Sequence, residues 1–544
     1  MRNCRETFLD TLILFLIVHA YGVMNYLPSH DGVMVVARDG AWQLSLGRFA
    51  QFFYQKLRGE VAAPWLIFLL AYVFFSLSFY LMLELLKIRS RVIRLLIIGI
   101  MTSSLTFLVD ISVFLYMMDS YGLAMLLAVG GVWLMEKCSK WQRIPAAALL
   151  FLWSMGLYQC FMAVAASLCL LLLMQKVMEK KPQRELGRTL LVYLFSAGLG
   201  AAGYLAVVHL SSALSGIPLS GTYNSISNLT TAADGGSRGL GSYLALIPEM
   251  YRTFFRYYME ETGFNTLPVR CIYILLILLG LWSYMRWLRR HKPGAVCTAE
   301  LLLGLLLAPA AMNCIYILTG GMVHILMVES YHMVLLFLFL PVLDRQPVIR
   351  GSIIRTEQTE PTGKNTEERP RAATENLNMS KQVFWRKIFP CLSAAALVLL
   401  LLIHAIIYDN GYYYYRKIVG DASQYRIYTL LQDLERDPDY VPGETPVALV
   451  GEFLASSMNF GRHDYSQYET IPYNFGSSVT YYLSFTEYAN FLAGEDILLT
   501  DSSEYAESDA VKAMPCYPKE GYLQMRDGVM IVKLSDYIAE SGTE

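Results

Sequence analysis

APWLIFLLAYVFFSLSFYLMLELL (63–86) is a run of 24 residues with one charged side chain, Glu84. A helix needs about 20 apolar residues to cross a hydrocarbon core. This stretch exceeds that length, and it is longer than the helices that line most soluble cores. It is one of many. The same reading predicts helices over 7–26, 63–86, 95–117, 120–136, 144–158, 160–175, 189–210, 269–287, 297–318, 327–343 and 387–408. The expected fold is therefore an α-helical polytopic membrane protein with about eleven transmembrane helices. The pair 144–158 and 160–175 is short, and reads either as two spans or as a re-entrant pair turning at Tyr158-Gln159.

Composition agrees. The 544 residues are 55% apolar and 16% charged, against about 25% charged in soluble domains. Net charge is −1, which excludes the basic excess of a nucleic-acid binder. Seven of the nine cysteines lie in or beside apolar runs without pairing or metal spacing, as expected of small apolar fillers. The first 26 residues lack a convincing cleavage site and read as a retained first helix.

Lysine and arginine set the orientation. With the N-terminus cytoplasmic, the short inner segments carry eighteen of them, whereas the longer outer loops 27–62 and 211–267 carry seven. Residues 344–386 form a polar cytoplasmic linker whose composition suits disorder. Residues 409–544 fall outside, with nine basic and twenty-two acidic residues, a net of −13. There, a helical segment near 421–436, PVALVGEF (446–453) as a buried strand and GVMIVKLS (528–535) as a final strand predict a small extracytoplasmic α/β domain.

Polar, irregular sequence concentrates in the outer loops, above all in LPSHDGVMVVARDGAWQLSLGRFAQFFYQKLRGE (27–60). Trp42, Leu46, Phe49, Phe53 and Leu57 recur at helical spacing, while Gln43, Arg48, Gln51, Gln55 and Lys56 lie off that stripe. Such a helix lies in the membrane interface. Asp31 and Asp39 precede it, each followed by glycine. A sugar transferase acting on a lipid-phosphate donor needs a general base, usually a carboxylate, and a cation for the departing phosphate. This loop holds both. Asp39 also suits a helix cap, which makes Asp31 the preferred base; Arg48 reads either as the phosphate contact or as a snorkelling arginine.

Asp110, inside the third span, is a carboxylate at membrane depth, a functional signal unless it is paired structurally. Asp119 and Tyr121 lie at the outer end of that span, and Tyr158-Gln159 at another outer turn. Glu329 and His332 stand one helical turn apart and are placed to meet. Asp10, His19, Glu84 and His209 sit near span ends, where snorkelling or interface exposure is the simplest account. No Walker A loop, HExxH, GxSxG or Cys/His cluster occurs in the sequence.

Several words in fixed order resemble the bacterial glucosyltransferase II family: His30-Asp31, WQLSLGRF (42–49), APW (63–65), LYMMDSYGLAMLLAV (115–129) and SMGLYQCFMAVA (154–165). The resemblance is strongest over 28–66. It implies a fold like that of the C-type membrane glycosyltransferases, a bacterial cytoplasmic membrane, a polyprenyl-phosphate sugar donor such as undecaprenyl-phosphate glucose, and an O-antigen or other surface-polysaccharide acceptor. It implies no metal or other cofactor. Carried over by position, it makes Asp31 the base, Asp39 a second acidic site residue, Arg48 the donor-phosphate contact, and His30, Asp119, Tyr121, Tyr158 and Gln159 substrate-binding residues. Typical members carry an acidic residue close after the first aspartate; here Gly32 follows Asp31, which leaves Asp39 as its possible complement. The rival readings are a flippase or exporter of lipid-linked glycans, and a surface-polysaccharide polymerase.

Overall fold

A computed structural model describes residues 2–25, 27, 29, 40–59, 63–220, 240–343, 389–451, 466–469, 489 and 497–536. His30, Asp31, Asp39 and the linker 344–386 lie outside the described residues.

The helices follow the apolar runs. They are α1 (Arg2–Met24), the short α2 (Ala41–Ser45) and α3 (Phe49–Arg58), α4 (Pro64–Leu85), α5 (Arg91–Thr102), α6 (Leu105–Ser112), α7 (Met118–Lys137), α8 (Arg143–Leu157), α9 (Phe161–Met178), α10 (Gln183–Ser215), α11 (Leu240–Met259), α12 (Leu267–His291), α13 (Ala295–Met312), α14 (Ile315–Leu318), α15 (Val334–Leu343) and α16 (Phe389–Arg436). Among the described residues, eight helices are long and apolar enough to cross a membrane. The pair α5–α6, bent by 51°, makes a ninth if read as one broken span. The chain is thus a polytopic membrane protein. The expected count of about eleven includes two elements that fall short: Arg143–Leu157 and Glu329–Leu343. Fifteen helical residues reach about 22 Å, less than a hydrocarbon core of about 30 Å.

α4, α7, α8 and α10 pack side by side, with α1 against α4, α5 and α16. Small residues let backbones close. A Cβ on Gly200 of α10 would stand 3.0 Å from the Ala148 carbonyl oxygen of α8. One end of the bundle gathers ion pairs. Arg94 bridges Asp10 (2.8 Å) and Glu6 (3.0 Å), Lys137 meets Glu84 (2.9 Å), Lys176 meets Glu136 (2.7 Å), and Lys87 pairs with Glu179. Asp10 is buried and held by Arg91 and Arg94, so it does not snorkel, whereas Glu84 stays partly exposed beside Lys137. His19 is also fully buried, with Nδ1 2.8 Å from the Tyr413 hydroxyl and Nε2 2.6 Å from the Thr102 carbonyl. His209 is exposed, as expected.

The last predicted span and the helical segment near 421–436 are one element: α16 runs 48 residues, about 72 Å at 1.5 Å per residue. Its far end leaves the bundle and builds the last domain. There β1 (Val447–Val450), β2 (Leu523–Arg526) and β3 (Val529–Lys533) form a sheet of order β1-β3-β2, with β1 parallel and β2 antiparallel to β3. Ile427, Leu430 and Leu434 of α16 cover one face with Val447, Leu449, Met530 and Val532. Ala506, Val511 and Met514 cover the other with Ala448, Val450 and Ile531. Burial on both faces is why VALV and VMIV read as unbroken apolar runs. The sequence reading does not include β2. Its signal is Asp527-Gly528, both with positive φ (50° and 78°), the two-residue turn that joins hairpin strands.

Candidate active site

The first loop is stitched to the bundle at both ends of its undescribed stretch. Before it, the Ser29 hydroxyl donates to the Val113 carbonyl (2.7 Å) at the end of α6. After it, Gly40 takes φ 81° and opens α2. The sequence predicts one amphipathic helix here. The structure breaks it at Leu46-Gly47-Arg48, where Gly47 has φ 74°, a conformation that favours glycine. The break makes Arg48 the residue that leads into α3.

The two helices turn their polar side inward. Gln43, Arg48 and Gln51 are buried, whereas Trp42, Phe53 and Leu57 are exposed. Gln51 Nε2 donates to the Ser120 hydroxyl (3.2 Å), and Gln55 Nε2 lies 3.1 Å from Met117 Sδ. Leu46 and Phe49, members of the same predicted stripe, are buried beside the bundle instead. The rest of the stripe is left on the outer surface of the bundle, the pattern an interfacial helix requires.

Each predicted site residue among the described ones lies at this seam. The Arg48 guanidinium stacks 4.7 Å from the Tyr158 ring centre, and Tyr158 stacks on Tyr121 with centroids 4.5 Å apart. Arg48 is nine-tenths buried, so it is not a snorkelling arginine, and its Nε has no hydrogen-bond partner among the described residues. Gln159 Nε2 donates to the Leu46 carbonyl (3.2 Å) and the Tyr204 hydroxyl (2.9 Å), and that hydroxyl donates to the Gly47 carbonyl (3.2 Å). Gln159 thus fixes the loop's break point. Asp119 is fully engaged by protein: Oδ1 meets Arg58 (2.7 Å) and the Ser120 N–H (2.9 Å), and Oδ2 accepts from the Tyr54 hydroxyl (3.0 Å). Burial and the neighbouring Asp119 carboxylate push the Tyr54 phenol well above its ordinary range.

The sequence reading does not single out Arg58. Its signal lay in spacing: Gln51, Gln55 and Arg58 are one polar face of α3, and Asp119 is the carboxylate at the facing span end. Deeper in, Ser104 caps α6 by accepting from the Phe107 N–H (3.1 Å) and donates to Glu329 Oε2 (2.7 Å). Glu329 and His332 do not meet through their side chains, as the sequence suggests. That segment is a 3-10 turn, not the α-helix the spacing assumed, and His332 instead contacts the Glu329 carbonyl (3.4 Å) and the Tyr257 hydroxyl (3.3 Å). His324, in the irregular segment before it, is pushed down to about 4 by burial and by the nearby Arg48 charge, so it is neutral at pH 7. Among the described residues, no group of three or more His, Cys, Asp or Glu side chains is arranged to hold a metal ion.

No curated protein and no solved structure matches the chain. The family model described as Glucosyl transferase GtrII matches residues 20–341, which is more than half of the chain. The match takes in both sides of the seam, from Arg48 to Glu329, and stops before α16 and the sheet. The chain belongs to the GtrII glucosyl transferase family.

Proposed function

We propose that this protein transfers a hexose, glucose, from a polyprenyl-phosphate donor to a cell-surface polysaccharide. It would do so at the outer face of a bacterial cytoplasmic membrane, with its N-terminus cytoplasmic and its C-terminal domain extracytoplasmic. The observation that carries the reading is Arg48: a nine-tenths buried cation with an unused N–H, held on Tyr158 at the seam between an interfacial helix and the bundle. Burying a guanidinium with an unused donor is costly, and a phosphate arriving from the membrane removes that cost. The exposed Trp42, Phe53 and Leu57 provide an apolar surface for the donor's tail beside it.

Asp31 is two residues from Ser29, which is tied to the end of α6. In the proposed step Asp31 takes the proton of the acceptor hydroxyl as its oxygen attacks the anomeric carbon. The bond from that carbon to the phosphate oxygen breaks, and polyprenyl phosphate leaves with its charge against Arg48. One displacement inverts the anomeric centre and needs no metal. Asp39 would be a second acidic residue of the site and His30 a substrate contact, while Tyr121, Tyr158 and Gln159 hold Arg48 and the loop in place and Asp119 positions α3 through Arg58. The acidic C-terminal domain serves to dock the acceptor.

The test is hexose transfer by the purified protein in lipid nanodiscs, with polyprenyl-phosphate glucose and a candidate polysaccharide. Asp31→Asn should lower kcat by about 100-fold or more without changing the melting temperature. Full activity in Asp31→Asn would remove it as the base.

A further inference from the structure

The bend between α5 and α6 opens a polar centre that the proposed step above does not use. Ser104, at the bend, donates to Glu329 Oε2 (2.7 Å), and Thr106 donates to the Ile325 carbonyl (2.8 Å). Segment 325–329 is thereby laced along one face of α6. Asp110 lies one helical turn beyond Thr106 on that face. Cys160 Sγ lies 3.9 Å from the Leu326 carbonyl of that segment, and Tyr158, two residues earlier, carries the Arg48 guanidinium. Val113, three residues further, holds Ser29 and so the start of the Asp31 loop.

Among the described residues, three polar atoms here have no hydrogen-bond partner: Asp110 Oδ1, Glu329 Oε1 and Arg48 Nε. Asp110 and Glu329 are each only 2% exposed. They come from three separate elements, so no single local turn accounts for them. Buried polar groups are almost always satisfied, and a carboxylate left half-bonded in a membrane interior is costly. What completes such a set must offer several hydroxyl donors to two carboxyl groups and an acceptor oxygen to a guanidinium. A hexose joined to phosphate does both.

We propose that Asp110 and Glu329 form the hexose-recognising wall of the site, each accepting a hydrogen bond from a hydroxyl of the donor sugar. This rests on the transferase reading above and assigns residues outside the first loop to sugar recognition.

The experiment measures binding rather than turnover, in nanodiscs, with polyprenyl-phosphate glucose and bare polyprenyl phosphate as the two probes. Wild type should bind the sugar-bearing lipid at least about 10-fold more tightly. Asp110→Asn and Glu329→Gln should each lower that ratio by about 10-fold, the size of one well-made hydrogen bond. Asp31→Asn should keep it. If either variant fails to fold, wild type is titrated with donors that lack single sugar hydroxyls; at least two of these should bind about 10-fold more weakly. Folded variants that keep the wild-type ratio, or a deoxy series that binds uniformly, would overturn the inference and leave the transferase reading standing. Wild type that binds neither lipid would overturn both.

Discussion

Removing Asp119 should loosen α3 and leave the rest of the bundle intact. The pair it makes with Arg58 is dry: the two side chains are 0% and 5% exposed, at 2.7 Å. In Asp119→Ala the guanidinium keeps only the Tyr116 carbonyl (2.9 Å), and the Tyr54 hydroxyl loses its acceptor. Breaking one side of a buried pair costs about 3–5 kcal/mol. At about 1.4 kcal/mol per decade, even the lower figure raises local opening more than about 100-fold. The assay is hydrogen exchange at the α3 amides in nanodiscs, with helix α12, which does not carry the substitution, as the internal control. Arg58→Met should show the same loss for the mirrored reason. The double variant Arg58→Met/Asp119→Leu should recover most of the protection, because apolar replacement of a buried pair is often neutral. Exchange that rises less than about 5-fold in the single variants would refute the reasoning. So would a double variant as loose as the two single losses added together.

Tyr158→Ala should destabilise by about 3–5 kcal/mol, as removal of a buried aromatic does, whereas Tyr158→Phe should keep the stack on Tyr121; thermal unfolding of the two separates packing from the hydroxyl. His324 is held neutral, with its value lowered to about 4. Between about 6.5 and 4 the unfolded chain binds a proton that the folded one refuses, so stability falls as pH drops through that window, by up to about 3 kcal/mol. His324→Gln should remove that share of the acid sensitivity in unfolding measured from pH 7 to 4. His19→Leu should detach α1 from both α5 and α16, since its two ring nitrogens contact Thr102 and Tyr413, and should cost about 1–3 kcal/mol for the groups left unsatisfied. In the last domain, Lys533 Nζ donates to the Lys512 and Met514 carbonyls (2.8 and 3.0 Å); Lys533→Ala should speed exchange in β3 without affecting the spans.

Much of the fold is legible because lipid makes length and charge decisive. The runs at 63–86, 160–175 and 269–287 become helices at close to their predicted limits. The basic residues Arg94, Lys137 and Lys176, assigned to one side by charge bias alone, do gather at one end of the bundle. Other features are set by tertiary contacts that periodicity does not carry. Gly47 interrupts a stripe whose spacing is intact, because the backbone there is tied by Tyr204 and Gln159. The bend at Ser103-Ser104 lies inside one apolar run, and only the Ser104–Glu329 contact, 225 residues apart in sequence, gives it a cause. Asp119 reads in sequence as a free carboxylate at a span end; in space it meets Arg58, sixty-one residues earlier.

The two ends of the bundle differ in how completely their buried polar atoms are used. At the basic end, Asp10, Glu84, Glu136 and Glu179 each meet a lysine or arginine. At the other end, Arg48 Nε, Asp110 Oδ1, Glu329 Oε1 and both oxygens of Asp409 have no partner among the described residues. The ordinary fate of such atoms is pairing, and five on one side of one protein, drawn from four elements, are hard to assign to packing alone. The asymmetry supports placing the proposed site at the seam, by an argument that does not use the family. It also separates roles within the site. Asp119 has used its oxygens on the protein and serves to hold α3, whereas Arg48, Asp110 and Glu329 retain capacity for something that arrives.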